Sequence, residues 1–220
     1  AQNIFLGKPK VIGDIAVTVK ALPEYALEEN PLCSFLCDAY KKYTGADIVY
    51  NNGGTMRASV YKGPITDAQI KDLMPYFNEV SVYKFSEKEI IETLNNAIAA
   101  TKKYNRTGAL QVAGIQYTIG KDDKVKDVYF VKDDGTKEKI DANNPRADKF
   151  YTVAYNSFLF GGSEGLANLH APEKKIAQAD KNETEMLIEY IKSFNGKPIT
   201  IQKTGRILSE SHPELNPKSP

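Results

Sequence analysis

Two glycine-rich stretches hold most of the side chains able to do chemistry. Asn51-Asn52-Gly53-Gly54-Thr55-Met56-Arg57 and Phe160-Gly161-Gly162-Ser163-Glu164-Gly165 each follow an apolar, strand-like run. Adjacent glycines permit backbone conformations and close approaches that side chains would block, so each loop is expected to offer backbone access to a ligand. Arg57 can grip a carboxylate or phosphate through two parallel N–H donors. Tyr76-Phe77-Asn78 and Phe158-Leu159-Phe160 supply flat faces on which a base can stack, with Asn78 and Glu164 available to hydrogen-bond a base edge or a sugar hydroxyl. Aromatics near strand ends are core residues more often than ligand contacts, so these residues alone point no further than a small-molecule site.

Other chemistries are poorly supplied. Hydrolytic metal sites draw on several convergent His, Asp, Glu or Cys ligands, usually with histidine among them, and His170 and His212 are the whole histidine supply. His170 stands beside Pro172 with no nucleophile motif near it, which argues against a Ser-His-Asp triad. Gly161-Gly162-Ser163 lacks the lysine of a phosphate-binding loop and the spacing of a dinucleotide fingerprint. The balance of 29 Lys+Arg against 28 Asp+Glu gives no electrostatic case for nucleic acid or a membrane surface. No apolar run approaches the ~20 residues that span a bilayer. No catalytic residue and no metal ligand is therefore expected in the chain.

The elements that must position these loops are legible in part. Pro9 to Lys20 alternates like a strand, as an entry strand or an interdomain arm. From Pro31, the positions Leu32, Phe35, Leu36, Ala39 and Tyr40 recur at helical spacing, with Gly45 as a stop. Cys33 and Cys37 lie four apart on that helix, where a disulfide between them is disfavoured and burial as free thiols is expected. Thr66-Asp67 caps a short helix, Val80 to Phe85 alternates as a strand, and Ser86-Glu87-Lys88-Glu89 is a capping box opening a longer helix. Strands follow at 112–119, 125–131 and 150–155, then a helix over 183–194 and a strand at 199–201. Without a regular βαβ repeat, the expected fold class is α+β, a mixed sheet with packed helices. The expected division is an N-terminal strand or arm at 1–27, a domain at 28–207 and a disordered tail at 208–220.

Five ordered blocks carry a resemblance: Glu29-Asn30-Pro31-Leu32 through Cys37-Asp38-Ala39, Thr44-Gly45-Ala46-Asp47-Ile48, Asn52-Gly53-Gly54-Thr55-Met56-Arg57, Gly63-Pro64-Ile65-Thr66, and Met74-Pro75-Tyr76-Phe77-Asn78. Together with Phe158 to Gly165, they resemble the C-terminal domain of the 5'-nucleotidases from about residue 28 to 207. The resemblance implies a nucleotide- or nucleoside-recognition domain working with an N-terminal metallophosphatase domain of the same chain. That partner would carry divalent metal ions and hydrolyse the phosphate ester, while this domain alone is inactive, and the whole would lie outside the cytoplasm. It implies that Arg57 contacts phosphate or ribose, that Asn52, Gly54 and Gly162 shape the pocket, that Tyr76 and Phe158 sandwich the base, and that Asn78 and Glu164 bond base or ribose. The chain departs from the family pattern at three places. Leu22 and Ala26 stand where one or two arginines are common, Tyr76-Phe77 stands where phenylalanine-glycine is usual, and Glu164 stands for aspartate. The tyrosine is more similar to relatives that cleave 2',3'-cyclic nucleotides and 3'-nucleotides, and the missing arginines leave a non-catalytic nucleotide-binding module as an alternative.

Overall fold

The computed structural model describes residues 7–56, 58–104, 110–162 and 165–218. Its strands in chain order are β1 (Val11–Ile15), β2 (Ile48–Asn51), β3 (Gly63–Thr66), β4 (Val80–Ser86), β5 (Gln111–Ala113), β6 (Ile115–Ile119), β7 (Val125–Val131), β8 (Lys137–Ile140), β9 (Phe150–Asn156), β10 (Lys175–Gln178), β11 (Pro198–Ile199) and β12 (Ile207–Ser209). The helices are α1 (Pro31–Thr44), α2 (Asp67–Leu73), α3 (Glu87–Tyr104), α4 (Ser157–Phe160) and α5 (Glu183–Lys192). They build the expected α+β fold, with three sheets in the orders β11-β1-β3, β10-β4-β9-β2-β5 and β12-β6-β7-β8. The sheets are mixed: β1–β11, β2–β9 and β12–β6 pair in parallel, and the other pairings are antiparallel.

The five-stranded sheet sits between two cores. Along β2, Val49 joins the core under α1 and α5, while Ile48 and Tyr50 join the core under α3. Along β9, Ala154 faces the first core and Val153 and Tyr155 the second. That is the alternation of side chains expected when a sheet is buried on both faces, and every residue of β2 is buried. Two hydrophobic layers thus fix the directions in which β2 and β9 deliver their C-terminal loops.

Helix starts follow local chemistry. Asn30 accepts from the amides of Leu32 and Cys33 ahead of Pro31 at the first helical position, and Gly45 ends α1 at φ +68°. Ser86 Oγ accepts from Glu89 N at 3.2 Å, as its capping box requires. Cys33 and Cys37 are buried and free, and burial pushes the Cys33 thiol up to about 12.

Three segments differ from expectation. The single strand expected over 112–119 is two, β5 and β6, broken at Gly114, whose φ of +76° and approach to the Asp47 carbonyl leave no room for a side chain. The alternating segment from Pro9 is strand only over Val11–Ile15, lying between β11 and β3, so it is a sheet member rather than an arm. The segment expected to be a disordered tail is ordered as far as Asn216: β12 pairs with β6, Asn216 Oδ1 accepts from Ser209 N at 2.9 Å, and the His212 ring lies 4.3 Å from that of Tyr25. Two further ties bring this end of the chain to the start of α1. Glu29 accepts the backbone amides of Thr204, Gly205 and Arg206 at 3.0, 2.9 and 2.9 Å. Arg206 reaches Asp38 at 2.8 Å and the Ser34 and Val112 carbonyls.

Candidate functional site

The loop after β2 is positioned from α1. Asn30, whose side-chain oxygen caps that helix, turns its amide nitrogen to the Ala21 carbonyl at 3.1 Å and the Gly53 carbonyl at 3.3 Å. The Cys33 thiol lies 3.7 Å from the same Gly53 oxygen. Within the loop, Thr55 N closes a turn onto Asn52 O at 3.2 Å, and the Thr55 hydroxyl lies 2.5 Å from Asn51 Oδ1 and 2.7 Å from Asn52 Oδ1. The glycine loop is thus held by buried polar groups on one side and its own turn on the other.

A second wall comes from the segment between α2 and β4, which is fastened at three points. Thr184 Oγ1 donates to Met74 O at 2.8 Å, Glu183 N donates to Asn78 O at 2.9 Å, and Ser157 N donates to Glu79 O at 2.9 Å. Phe77 lies between these ties at φ +51°, a left-handed conformation disfavoured for any residue with a Cβ. The position at which the resembled family usually has glycine is therefore one where the backbone itself favours glycine. The turn leaves Tyr76 82% exposed and Phe77 46% exposed.

The third wall is the β9–α4 junction. Asn156 ends β9 and caps α4 by accepting from Leu159 N at 3.0 Å, which leaves Phe158 on the first turn and 49% exposed. Asn52, Gly54, Tyr76, Asn78 and Phe158 all line one cavity of about 570 Å³, a size typical of small-molecule sites. Two large aromatic side chains left open to solvent on a single cavity are costly unless something covers them.

Of the remaining expected residues, Gly162 is not among those lining the cavity. Its φ of +72° and the Ala167 and His170 atoms 3.2 Å from where a Cβ would stand make it a turn residue. Arg57 and Glu164 lie outside the described residues. His170 lies on the surface with Nδ1 3.0 Å from the Phe160 carbonyl, apart from the cavity lining.

Glu183, Asn156 and Tyr40 were not singled out by sequence reasoning. Glu183, the first residue of α5, is 1% exposed and lines the cavity floor beside Asn156. Its carboxylate receives Tyr40 OH at 2.5 Å, Asn78 Nδ2 at 2.7 Å and Asn156 Nδ2 at 3.2 Å. Burial, reinforced by the charge of Glu183, holds the Tyr40 hydroxyl well above the usual tyrosine range, so it remains a donor. The α5 N-terminus adds a favourable dipole beneath the carboxylate. No short-range pattern announces this network, because its members lie at positions 40, 78, 156 and 183. Among the described residues no group of three or more His, Cys, Asp or Glu side chains is placed to hold a metal ion. Among the described residues no helix is long and apolar enough to cross a membrane.

Residues 11–171 match the model of the 5'-nucleotidase C-terminal domain family. The chain belongs to that family. A cell wall protein of Listeria monocytogenes is 30% identical over 202 residues, covering 86% of this chain and 25% of that protein. The trifunctional nucleotide phosphoesterase protein of Bacillus subtilis is 33% identical over 149 residues, covering 64% of this chain and 10% of that protein. The fold superposes on a 5'-nucleotidase precursor from Thermus thermophilus with a TM-score of 0.77 at 23% identity, over 91% of this chain and 39% of that one. The resemblance carried by the five sequence blocks is thus borne out at the level of family and fold. This 5'-nucleotidase C-terminal domain spans between a tenth and a quarter of those two curated relatives.

Proposed function

We propose that this domain recognises the base and ribose of a nucleotide for a metal-dependent phosphohydrolase of 5'-nucleotidase type. The reading is carried by one observation: Tyr76 and Phe158, both open to solvent, line the same cavity as Asn52 and Asn78. Stacking between aromatic side chains contributes about 1–3 kcal/mol per base and makes little demand on base identity, while the two asparagines supply polar contacts to base or sugar. Hydrolysis is assigned to a separate N-terminal metallophosphatase domain of the same chain that carries the divalent metal ions, so the domain alone is inactive. Family membership and the nucleotide-directed names of several relatives support this division of labour. The cell wall relative supports a location outside the cytoplasm.

A second reading, the same role in a 2',3'-cyclic-nucleotide phosphodiesterase or 3'-nucleotidase, is favoured by the tyrosine at position 76. Calorimetric titration with adenosine, AMP, 3'-AMP and 2',3'-cyclic AMP decides between them. Saturable binding that disappears in the Tyr76→Ala/Phe158→Ala double variant supports the recognition role, and the preferred phosphate position selects the branch. Absence of binding by all four ligands would mean that the pocket needs its partner domain or has been lost, and would move the weight to a non-catalytic surface protein.

A further inference from the structure

The polarity of the Asn78 carboxamide is set by its surroundings. In general the two ends of an asparagine amide are told apart only by their hydrogen-bond partners. Here the partners are unambiguous. Asn156 Oδ1 is committed to Leu159 N at 3.0 Å, so its nitrogen must be the end that faces Glu183. Tyr40 retains its proton and donates to Glu183 Oε2 at 2.5 Å. Glu183 accepts from Tyr40 and Asn156 at Oε2, and the end of Asn78 that lies 2.7 Å from its Oε1 is the nitrogen, which donates. The opposite end, Oδ1, lies 3.2 Å from the hydroxyl of the exposed Ser157. A carbonyl oxygen has two lone pairs, and Ser157 uses one of them.

We propose that Glu183 is a specificity-determining positioning residue: by anchoring Asn78 Nδ2 at the buried floor it makes the cavity offer a hydrogen-bond acceptor, Asn78 Oδ1, and so selects bases bearing an exocyclic amino group over their oxo counterparts. This rests on the nucleoside-binding reading and deepens it. An oxo base brings a second acceptor against Asn78 Oδ1 and leaves both unpaired, a mismatch that discriminates more strongly than apolar shape alone. Glu183 touches no ligand atom in this scheme. It acts through Asn78, and its neutral amide analogue would give Asn78 a donor to turn towards.

The test is a titration of the full chain with adenosine and with inosine, which differ at C6, amino against oxo, and at the adjacent N1, which accepts in adenosine and carries a proton in inosine. The unmodified protein is expected to favour adenosine by about ten-fold or more. In Glu183→Gln that ratio is expected to collapse towards one, because the new side chain can donate to Asn78 and release its orientation. A merely structural role would weaken both nucleosides together and leave the ratio unchanged, which overturns the proposal. Thermal unfolding of Glu183→Gln is followed in parallel. If that variant does not fold, Asn78→Leu, which leaves Glu183 its other two donors, must abolish the preference, and a preference retained there overturns the proposal. Equal binding of the two nucleosides by the unmodified protein, with binding still dependent on Tyr76 and Phe158, overturns the proposal and leaves the recognition reading standing. Failure of both nucleosides to bind sinks the two together.

Discussion

The side-chain amide of Asn30 donates to the carbonyl of Gly53 at 3.3 Å while its oxygen caps α1. One buried residue therefore starts a helix and holds the glycine loop that walls the cavity. Asn30→Ser keeps a capping oxygen and loses the two amide donors, whereas Asn30→Ala loses the cap as well. Urea unfolding is expected to place the alanine variant about 1 kcal/mol below the serine variant. Both are expected to bind adenosine more weakly than the unmodified chain, and undiminished affinity in Asn30→Ser would show that the loop keeps its shape unaided.

Phe77 is held at φ +51° on the cavity wall. Comparing Phe77→Gly with Phe77→Ala removes the ring from both sides of the comparison and isolates the backbone. Glycine is expected to be the more stable by about 1 kcal/mol, since alanine retains the Cβ that the left-handed region penalises. Thermal melts of the two variants measure it, and an alanine variant equal to glycine would mean that the turn relaxes.

Glu87 supplies a pH dependence whose sign is fixed. Its side chain is 2% exposed, and it accepts from Arg146 N, Nε and Nη2 at 3.0, 3.3 and 2.9 Å and from Tyr151 OH at 3.2 Å. Burial pushes its pKa up, but the Arg146 and Tyr151 hydrogen bonds together outweigh burial and leave it below the ordinary glutamate value. A carboxyl depressed in the folded state stabilises the fold above its unfolded pKa, and that contribution is lost as pH falls through the folded value. Denaturant midpoints are expected to decline on acidification below about pH 4.5. The decline should be shallower in Glu87→Gln, and parallel pH curves would remove Glu87 from the account.

Gly114 separates β5 from β6 where a Cβ would stand 1.9 Å from the Asp47 carbonyl oxygen. Gly114→Ala combines a backbone clash with a left-handed φ, and a loss of about 4 kcal/mol or more is expected. Soluble yield and the thermal midpoint report it. A variant that melts with the parent would show that β2 and β5 can part without cost.

The readable part of this protein was local. The α1 helix was legible because its apolar stripe, its prolyl start and Gly45 lie within fifteen residues, and the glycine loop after β2 because Gly53-Gly54 has few other uses. Exposure was not legible: Tyr76 and Phe158 carry the same chemistry as the buried Tyr155, and only the turn at Phe77 and the cap at Asn156 decide which rings stay outside. Glu183 was invisible as a site residue because its three side-chain partners, Tyr40, Asn78 and Asn156, come from separate parts of the chain. The packed terminus escaped for the same reason, its order resting on β12 pairing with β6 and on His212 meeting Tyr25 across the fold.

The clasp of Glu29 on the amides of 204–206 has a consequence for how the molecule is made. Glu29 and Arg206 are separated by 177 positions. At a synthesis rate of about 5–20 residues per second, roughly 9 to 35 seconds pass between the synthesis of one and of the other. For most of that interval β1 has no β11 beside it, and the start of α1 lacks the backbone donors that fasten it. Closure of this clasp is thus late in synthesis, and until Ile199, Ile201 and Ile207 are made both cores are incomplete.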